Sequence, residues 1–369
     1  MGMLAVEVDW WDLADGGVLS GWCYSVLTLS GKLIINGSLD GTRDPPTMRT
    51  VQFPVPDVKV YQHANGRKHI ILLTERGEVW AITTTFSEIP LQVALPDVKL
   101  GYPGHKQRQP GTVSKVVAGW NASGVLVEGH GITLLFSQSR RFDLMGVPFL
   151  SGLDVVEDSD SVVDFAIGEH FLMAATASGK VFAANLADIE RNEPIAPMQM
   201  LNFEAPAGRR PINRVVGWFR KFALFNDDGL VHIVDAFQDL QASRQHLEAA
   251  GGPRGLSHNL NEMRTGATTP TMVAGLEAYT IVDVAFGDWH YLALTDTGKV
   301  LSWGTESRMC GCLGLGRSDV AKEKGLRLVG GFDGVLDTAQ VVSFDHPYPE
   351  DEARGGGMSP SGHSYHSTR

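Results

Sequence analysis

Cysteine is nearly missing from this chain: its 369 residues include three, Cys23, Cys310 and Cys312. So sparse and odd a set cannot staple a disulfide scaffold, and it is the usage expected of a reducing compartment. Long apolar runs are missing too. Met1 to Trp11 holds Glu7 and Asp9, so the start reads as neither a secretory leader nor a membrane span. Val6 stands where N-myristoylation requires Ser or Thr. Basic residues are in deficit, with 31 Lys and Arg against 42 Asp and Glu and a net charge of −11. That balance argues against nucleic acid or a membrane surface as partner, because phosphates are held by clustered cations. Arg140-Arg141, Arg209-Arg210 and Lys106 with Arg108 are small clusters and read as solvated loops. A cytoplasmic or nuclear location follows, so the Asn36 and Asn121 glycosylation patterns carry no meaning.

Chemistry-bearing motifs are equally scarce. There is no Gly-x-x-x-x-Gly-Lys-Ser/Thr phosphate loop and no Gly-x-Ser-x-Gly nucleophile elbow. The glycines of Gly311-Cys312-Leu313-Gly314-Leu315-Gly316 are in the wrong order for a dinucleotide fingerprint. Cys310-Gly311-Cys312 supplies two thiols but no second Cys or His pair to complete a zinc site. His69, His170 and His290 recur at one kind of place, which suits packing or a hydrogen bond to a neighbouring strand better than a shared metal. The expectation is a non-enzyme: no catalytic residue, no cofactor, no metal.

Glycine, in contrast, is abundant at 42 residues and is spaced with purpose. The clearest unit runs from Gly287-Asp288-Trp289-His290 through Leu294-Thr295-Asp296-Thr297-Gly298 to Val300-Leu301-Ser302-Trp303-Gly304. A leading glycine opens it, an apolar strand follows, and a turn closed by glycine hands over to a second strand. Weaker copies lead from Gly21, Gly66, Gly119, Gly168 and Gly217, at steps of 45, 53, 49, 49 and 70 residues. The turns fall at Gly31, Gly77, Gly129 or Gly131, Gly179 and Gly229. Strand, short loop with a late glycine, strand is a hairpin whose turn needs a left-handed residue. The strands are apolar throughout rather than alternating, as expected of sheets covered on both faces. Ala174, Ala223 and Ala293 share one offset from their leading glycines, which suggests close strand approach toward a common axis. Trp22, Trp120 and Trp218 each follow a leading glycine, as wedges between neighbouring units would. A period near fifty residues means a repeat array, here an all-β one over residues 1–345.

Helical periodicity is confined to Ala236–Ala250, where Phe237, Leu240 and Leu247 share a face before Gly251-Gly252-Pro253. That helix and the polar stretch to Thr271 read as an insertion, which accounts for the long last step. Leu328, Val329, Val341, Val342 and Phe344 form a further apolar group that could supply a seventh unit. Residues 346–369 read as a disordered tail.

The unit from Gly287 to Gly304, with Gly311 to Gly316 behind it, resembles the regulator of chromosome condensation family of seven-bladed propellers. With six such units in the chain, that resemblance implies an all-β propeller of six or seven four-stranded blades over residues 1–345. Gly21-Trp22-Cys23-Tyr24, Gly31-Lys32-Leu33, Gly37-Ser38-Leu39-Asp40-Gly41 and Gly66-Arg67-Lys68-His69 resemble fungal F-box proteins of the SCF-associated factor type. That likeness covers roughly residues 9 to 345. It implies a scaffold whose propeller presents a surface to a protein partner or degradation substrate, coupled through an F-box to Skp and a cullin. Repeats begin almost at once here, so Skp binding is expected of a form carrying an upstream F-box. The founding member of the wider family implies an alternative, nucleotide exchange on a Ran-like small GTPase.

Overall fold

The computed structural model describes residues 13–19, 23–39, 48–83, 89–95, 98–105, 109–120, 122–137, 144–147, 160–186, 199–201, 209–235, 270–287, 289–306, 311–329 and 333–343. They form six separate antiparallel sheets in chain order. The first holds β1 (Leu13–Leu19), β2 (Cys23–Thr28), β3 (Leu33–Gly37) and β4 (Arg49–Thr50). The second holds β5 (Val60–Asn65), β6 (His69–Thr74), β7 (Val79–Thr83) and β8 (Leu91–Gln92). The third holds β9 (Val113–Ala118), β10 (Ala122–Val127), β11 (Gly131–Ser137) and β12 (Leu144–Val147). The fourth holds β13 (Val162–Ile167), β14 (Phe171–Thr176), β15 (Val181–Asn185) and β16 (Gln199–Met200). The fifth holds β17 (Ile212–Trp218), β18 (Lys221–Asn226) and β19 (Val231–Asp235), extended by a bridge from Ile233 to Thr271. The sixth holds β20 (Ile281–Phe286), β21 (His290–Thr295), β22 (Val300–Glu306), β23 (Arg327–Val329) and β24 (Asp333–Val341).

These sheets are propeller blades. Each packs on the next, and five apolar cores lie between consecutive blades from the first to the sixth. Phe165 and Leu172, for instance, meet Ala122 and Leu134 between the third and fourth. Strands β6, β10, β14 and β18 are buried at every position, which is why their sequences run apolar without alternating. The last blade differs: β21 alternates, and Val282, Leu294, Leu328 and Val329 lie exposed. The apolar group after residue 326 does not build a seventh blade. Pairing of β24 with β22 makes it the missing fourth strand of the sixth, and β23 adds a fifth. A short helix, α1 (Ser318–Glu323), and Leu313, Leu315, Leu326 and Leu336 form a small core beneath that return.

The hairpin turns hold the glycines where the repeat pattern requires them. Gly31, Gly77, Gly179, Gly229 and Gly298 all have φ between +73° and +84°. The ambiguous third turn closes between Val127 and Gly131 and uses both Gly129 and Gly131 at positive φ. Thr28, Thr74 and Thr295 close their turns by accepting the N–H four residues on, at 2.9, 3.1 and 2.9 Å. Asn226 does the same for Leu230. The inferred helix at Ala236–Ala250, the rest of that insertion up to Thr269, and the tail at 346–369 lie outside the described residues.

One register expectation is corrected. Gly217 does not hold the corner position of Gly66, Gly119, Gly168 and Gly287, each of which bonds the third residue on. Trp218 pairs with Lys221 instead, so the fifth corner begins one residue later. Because sheet faces alternate with period two, that slip turns Ala223 to the opposite face from Ala174 and Ala293. Ala174 packs toward the preceding blade, as does Ala293, while Ala223 packs toward the following one.

Candidate functional site

The innermost strands carry a repeated irregularity. In β5, β9, β13, β17 and β20 the register against the next strand skips one residue near the strand start. Such bulges re-aim side chains, and the residues just past them are Gln62, Lys115, Asp164, Arg214 and Asp283. They form a polar relay from blade to blade. Gln62 Oε1 accepts the Val116 N–H at 3.1 Å. Lys115 Nζ donates to Asp164 Oδ1 at 2.6 Å and to the Phe165 carbonyl at 2.9 Å. Asp164 Oδ2 accepts the Val215 N–H at 2.7 Å, and Arg214 reaches Asp283 at 2.7 Å.

A central cavity of about 780 Å³ lies among these strands and is lined from all six blades, Leu27 of the first to Val282 of the last. Its lining includes the strand ends next to the hairpin turns, Leu126 and Phe225 to Asp227, so it opens on the turn face. On that face Tyr61, Tyr102 and His105 stack edge to face with centroids 5.5 and 5.4 Å apart.

The opposite, corner face is built from the bends after the innermost strands. Corner glycines there bring successive blades into backbone contact. A Cβ on Gly66 would strike the Gly119 carbonyl, one on Gly119 the Gly168 carbonyl, and one on Gly168 the Phe219 carbonyl. Matching hydrogen bonds run from Arg67 N to Trp120 O, from Trp120 N to Gly168 O and from Glu169 N to Phe219 O. The corner side chains stack across blades. Arg67 lies 4.3 Å over the Trp120 ring, Trp120 sits 5.4 Å from Phe219, and Arg220 covers Phe219 at 5.1 Å. Phe219 has φ +56°, uncommon for a bulky residue.

The histidines singled out by the repeat do not converge. His69 Nε2 meets Ser123 Oγ of the next blade at 2.7 Å, with both residues buried. Burial pushes its pKa down to about 4. A His–Ser pair sealed in a core offers no substrate a nucleophile, so it serves as an inter-blade bond. His170 stands 3.7 Å from Glu169, and the His290 ring covers Gly287 in its own corner. His63, which the repeat pattern did not single out, lines the cavity and is likewise lowered to about 4 by burial, against a bond to Ser25 that raises it. Trp120 is a corner residue in the stack, Trp218 ends β17, and Trp303 lies flat on Tyr291 at 4.8 Å. Trp22 and Cys310 lie outside the described residues. Cys312 is bonded into its loop instead: Glu306 accepts the N–H groups of Gly311, Cys312 and Leu313 at 2.7, 3.1 and 3.0 Å. Burial raises the Glu306 pKa, but these three donors outweigh it and hold the carboxyl below its ordinary range. No group of three or more potential metal ligands occurs among the described residues.

Comparison with known proteins places the architecture. Residues 281–311 match the family model described as the Regulator of chromosome condensation (RCC1) repeat. Over 39 residues the chain is 56% identical to SCF-associated factor 1 of Saccharomyces cerevisiae, covering 11% of this chain and 6% of that protein. Over 307 residues it is 22% identical to the F-box protein pof9 of Schizosaccharomyces pombe, covering 81% of this chain and 54% of that protein. The chain thus spans about half the length of pof9. Among solved structures, Prp20p of Saccharomyces cerevisiae, described with its binding properties to Gsp1p and histones, aligns with a TM-score of 0.54 at 15% identity, over 89% of this chain and 76% of that one. Human WBSCR16 aligns with a TM-score of 0.54 at 16% identity, over 89% and 81%.

Proposed function

This chain is a β-propeller of the regulator of chromosome condensation repeat type, and from that premise we propose that it is a non-catalytic interaction scaffold, the recognition propeller of an SCF-type ubiquitin ligase adaptor. The observation that carries this reading is the likeness to pof9 across four-fifths of the chain, 81%, in a relative named for its F-box. The fold supports it physically. A ring of blades held by inter-blade cores is a rigid frame, and the corners and loops at its two faces can vary without disturbing the packing.

The test pairs two assays. A form of the gene product that includes any F-box encoded upstream should co-purify with Skp and a cullin, whereas Met1–Arg369 alone should not. In parallel, Met1–Arg369 is added to a Ran-like GTPase loaded with a fluorescent guanine nucleotide. Release at the spontaneous rate is expected. Accelerated release would favour an exchange factor and defeat the scaffold reading.

A further inference from the structure

The corner face carries a feature that blade packing does not require. Four corners, Arg67-Lys68, Trp120, Glu169-His170 and Phe219-Arg220, occupy equivalent places in consecutive blades, and their backbones touch around the axis. Three of their side chains form one continuous stack from the second blade to the fifth: Arg67 on Trp120, and Trp120 against Phe219. All three are partly exposed, not buried, and Lys68 beside them is exposed. Glu169 is the one carboxylate among these corners, and it is committed to Arg220 at 2.8 Å. Arg67 has no carboxylate partner among the described residues; stacking engages the face of its guanidinium and leaves the N–H edge for an acceptor. In a chain of net charge −11 this is a local cationic and aromatic surface. The Phe219 backbone, held at φ +56°, adds a second sign, since such conformations persist where the surroundings over-determine them and cluster at recognition sites.

We propose that this corner rim is the docking surface for an acidic peptide segment of a partner protein, which sets a carboxylate against Arg67 and an apolar side chain against Trp120 and Phe219. The inference rests on the scaffold reading and adds the face and the chemistry. Charge complementarity selects an acidic partner, and Arg with Trp is the composition of interface hot spots. A nucleic acid fits less well: Arg67 and Lys68, the two rim cations with no carboxylate partner among the described residues, neutralise too few phosphates.

The experiment pans a random peptide display library on purified Met1–Arg369. The selected peptides are then measured by fluorescence polarisation against Arg67→Glu, Arg67→Gln, Trp120→Ala and, on the turn face, Tyr102→Ala. Thermal unfolding of each variant checks folding, and Arg67→Gln covers the case in which Trp120→Ala loosens the corner. Selected peptides should be rich in Asp and Glu. Their affinity should fall about tenfold or more with Arg67→Glu or Trp120→Ala, less with Arg67→Gln, and remain unchanged with Tyr102→Ala. Peptides that lose affinity only with Tyr102→Ala would overturn this face while leaving the scaffold reading standing. Peptides without acidic enrichment, or no selected peptide, would overturn the proposal. Binding of a 20-nucleotide single-stranded DNA that depends on Arg67 would overturn it in favour of nucleic acid and count against the scaffold reading as well.

Discussion

Two kinds of glycine do different work in this chain, and they should fail differently. Gly298 has φ +79° and, among the described residues, no atom within 4 Å of where a Cβ would stand, so its demand is conformational. Gly298→Val should therefore cost about 1–3 kcal/mol, because a β-branched residue is strained there. Gly168 shows no such φ; its demand is contact with the Phe219 carbonyl. Gly168→Ala should thus destabilise more than Gly298→Ala, read from urea midpoints, and equal midpoints would contradict the close approach of these corners. The cysteines should behave as reduced thiols. Cys23 is buried and Cys312 is partly exposed, so native-state titration should label Cys312 before Cys23, with three thiols appearing in denaturant and no stoichiometric zinc by elemental analysis.

At the scale of the strand, equal sequence does not mean equal environment. Leu172 in β14 is fully buried, whereas Leu294 in β21 is 40% exposed on the uncovered side of the last blade. Leu172→Ala should cost about 2–5 kcal/mol, and Leu294→Ala less than about 1. A comparable loss at both positions would mean that the last blade is covered in solution. Acid should act on the inter-strand bonds in two steps. His63 and His69 have pKa values lowered from 6.5 to about 4, so between those values the unfolded chain binds the protons that the folded chain refuses. Their contribution is complete above pH 6.5 and falls until about pH 4. Glu306, lowered below its ordinary range, contributes above its unfolded pKa and loses that contribution as pH falls through the folded value. Denaturation midpoints followed against pH should show His69→Gln flattening the first step, and Glu306→Gln the second.

For the whole molecule, stability depends on blades holding one another. Asp164 joins three of them, taking Lys115 from the third and the Val215 N–H of the fifth while standing on the fourth. Asp164→Ala leaves the mostly buried Lys115 ammonium without its carboxylate and the Val215 N–H without its acceptor, and should cost about 2–4 kcal/mol. Asp164→Asn, which keeps an acceptor for the N–H, should cost less. Calorimetric midpoints decide it, and equal losses would show that the relay contributes only its charge. Much of this architecture was legible in the repeat. The turn glycines, the leading glycines and the apolar strands mark each blade, since hairpin geometry and burial on both faces act on a few adjacent residues. The relay was not legible, because Gln62, Lys115, Asp164, Arg214 and Asp283 share a place in the ring but no chemical type.

By itself the sequence determined a propeller, because each blade is local: a turn that needs positive φ, and strands that need cover on two sides. Tertiary structure decided what those local rules leave free. It set the fifth corner one residue late and so reversed Ala223, since register follows which face finds a core to enter. It folded the apolar group after residue 326 back onto the sixth blade, where β24 could pair with the open edge of β22. And it brought Arg67, Trp120 and Phe219, residues of three different blades, into one stack. No spacing in the chain encodes that meeting, because it exists only where corners converge on a common axis.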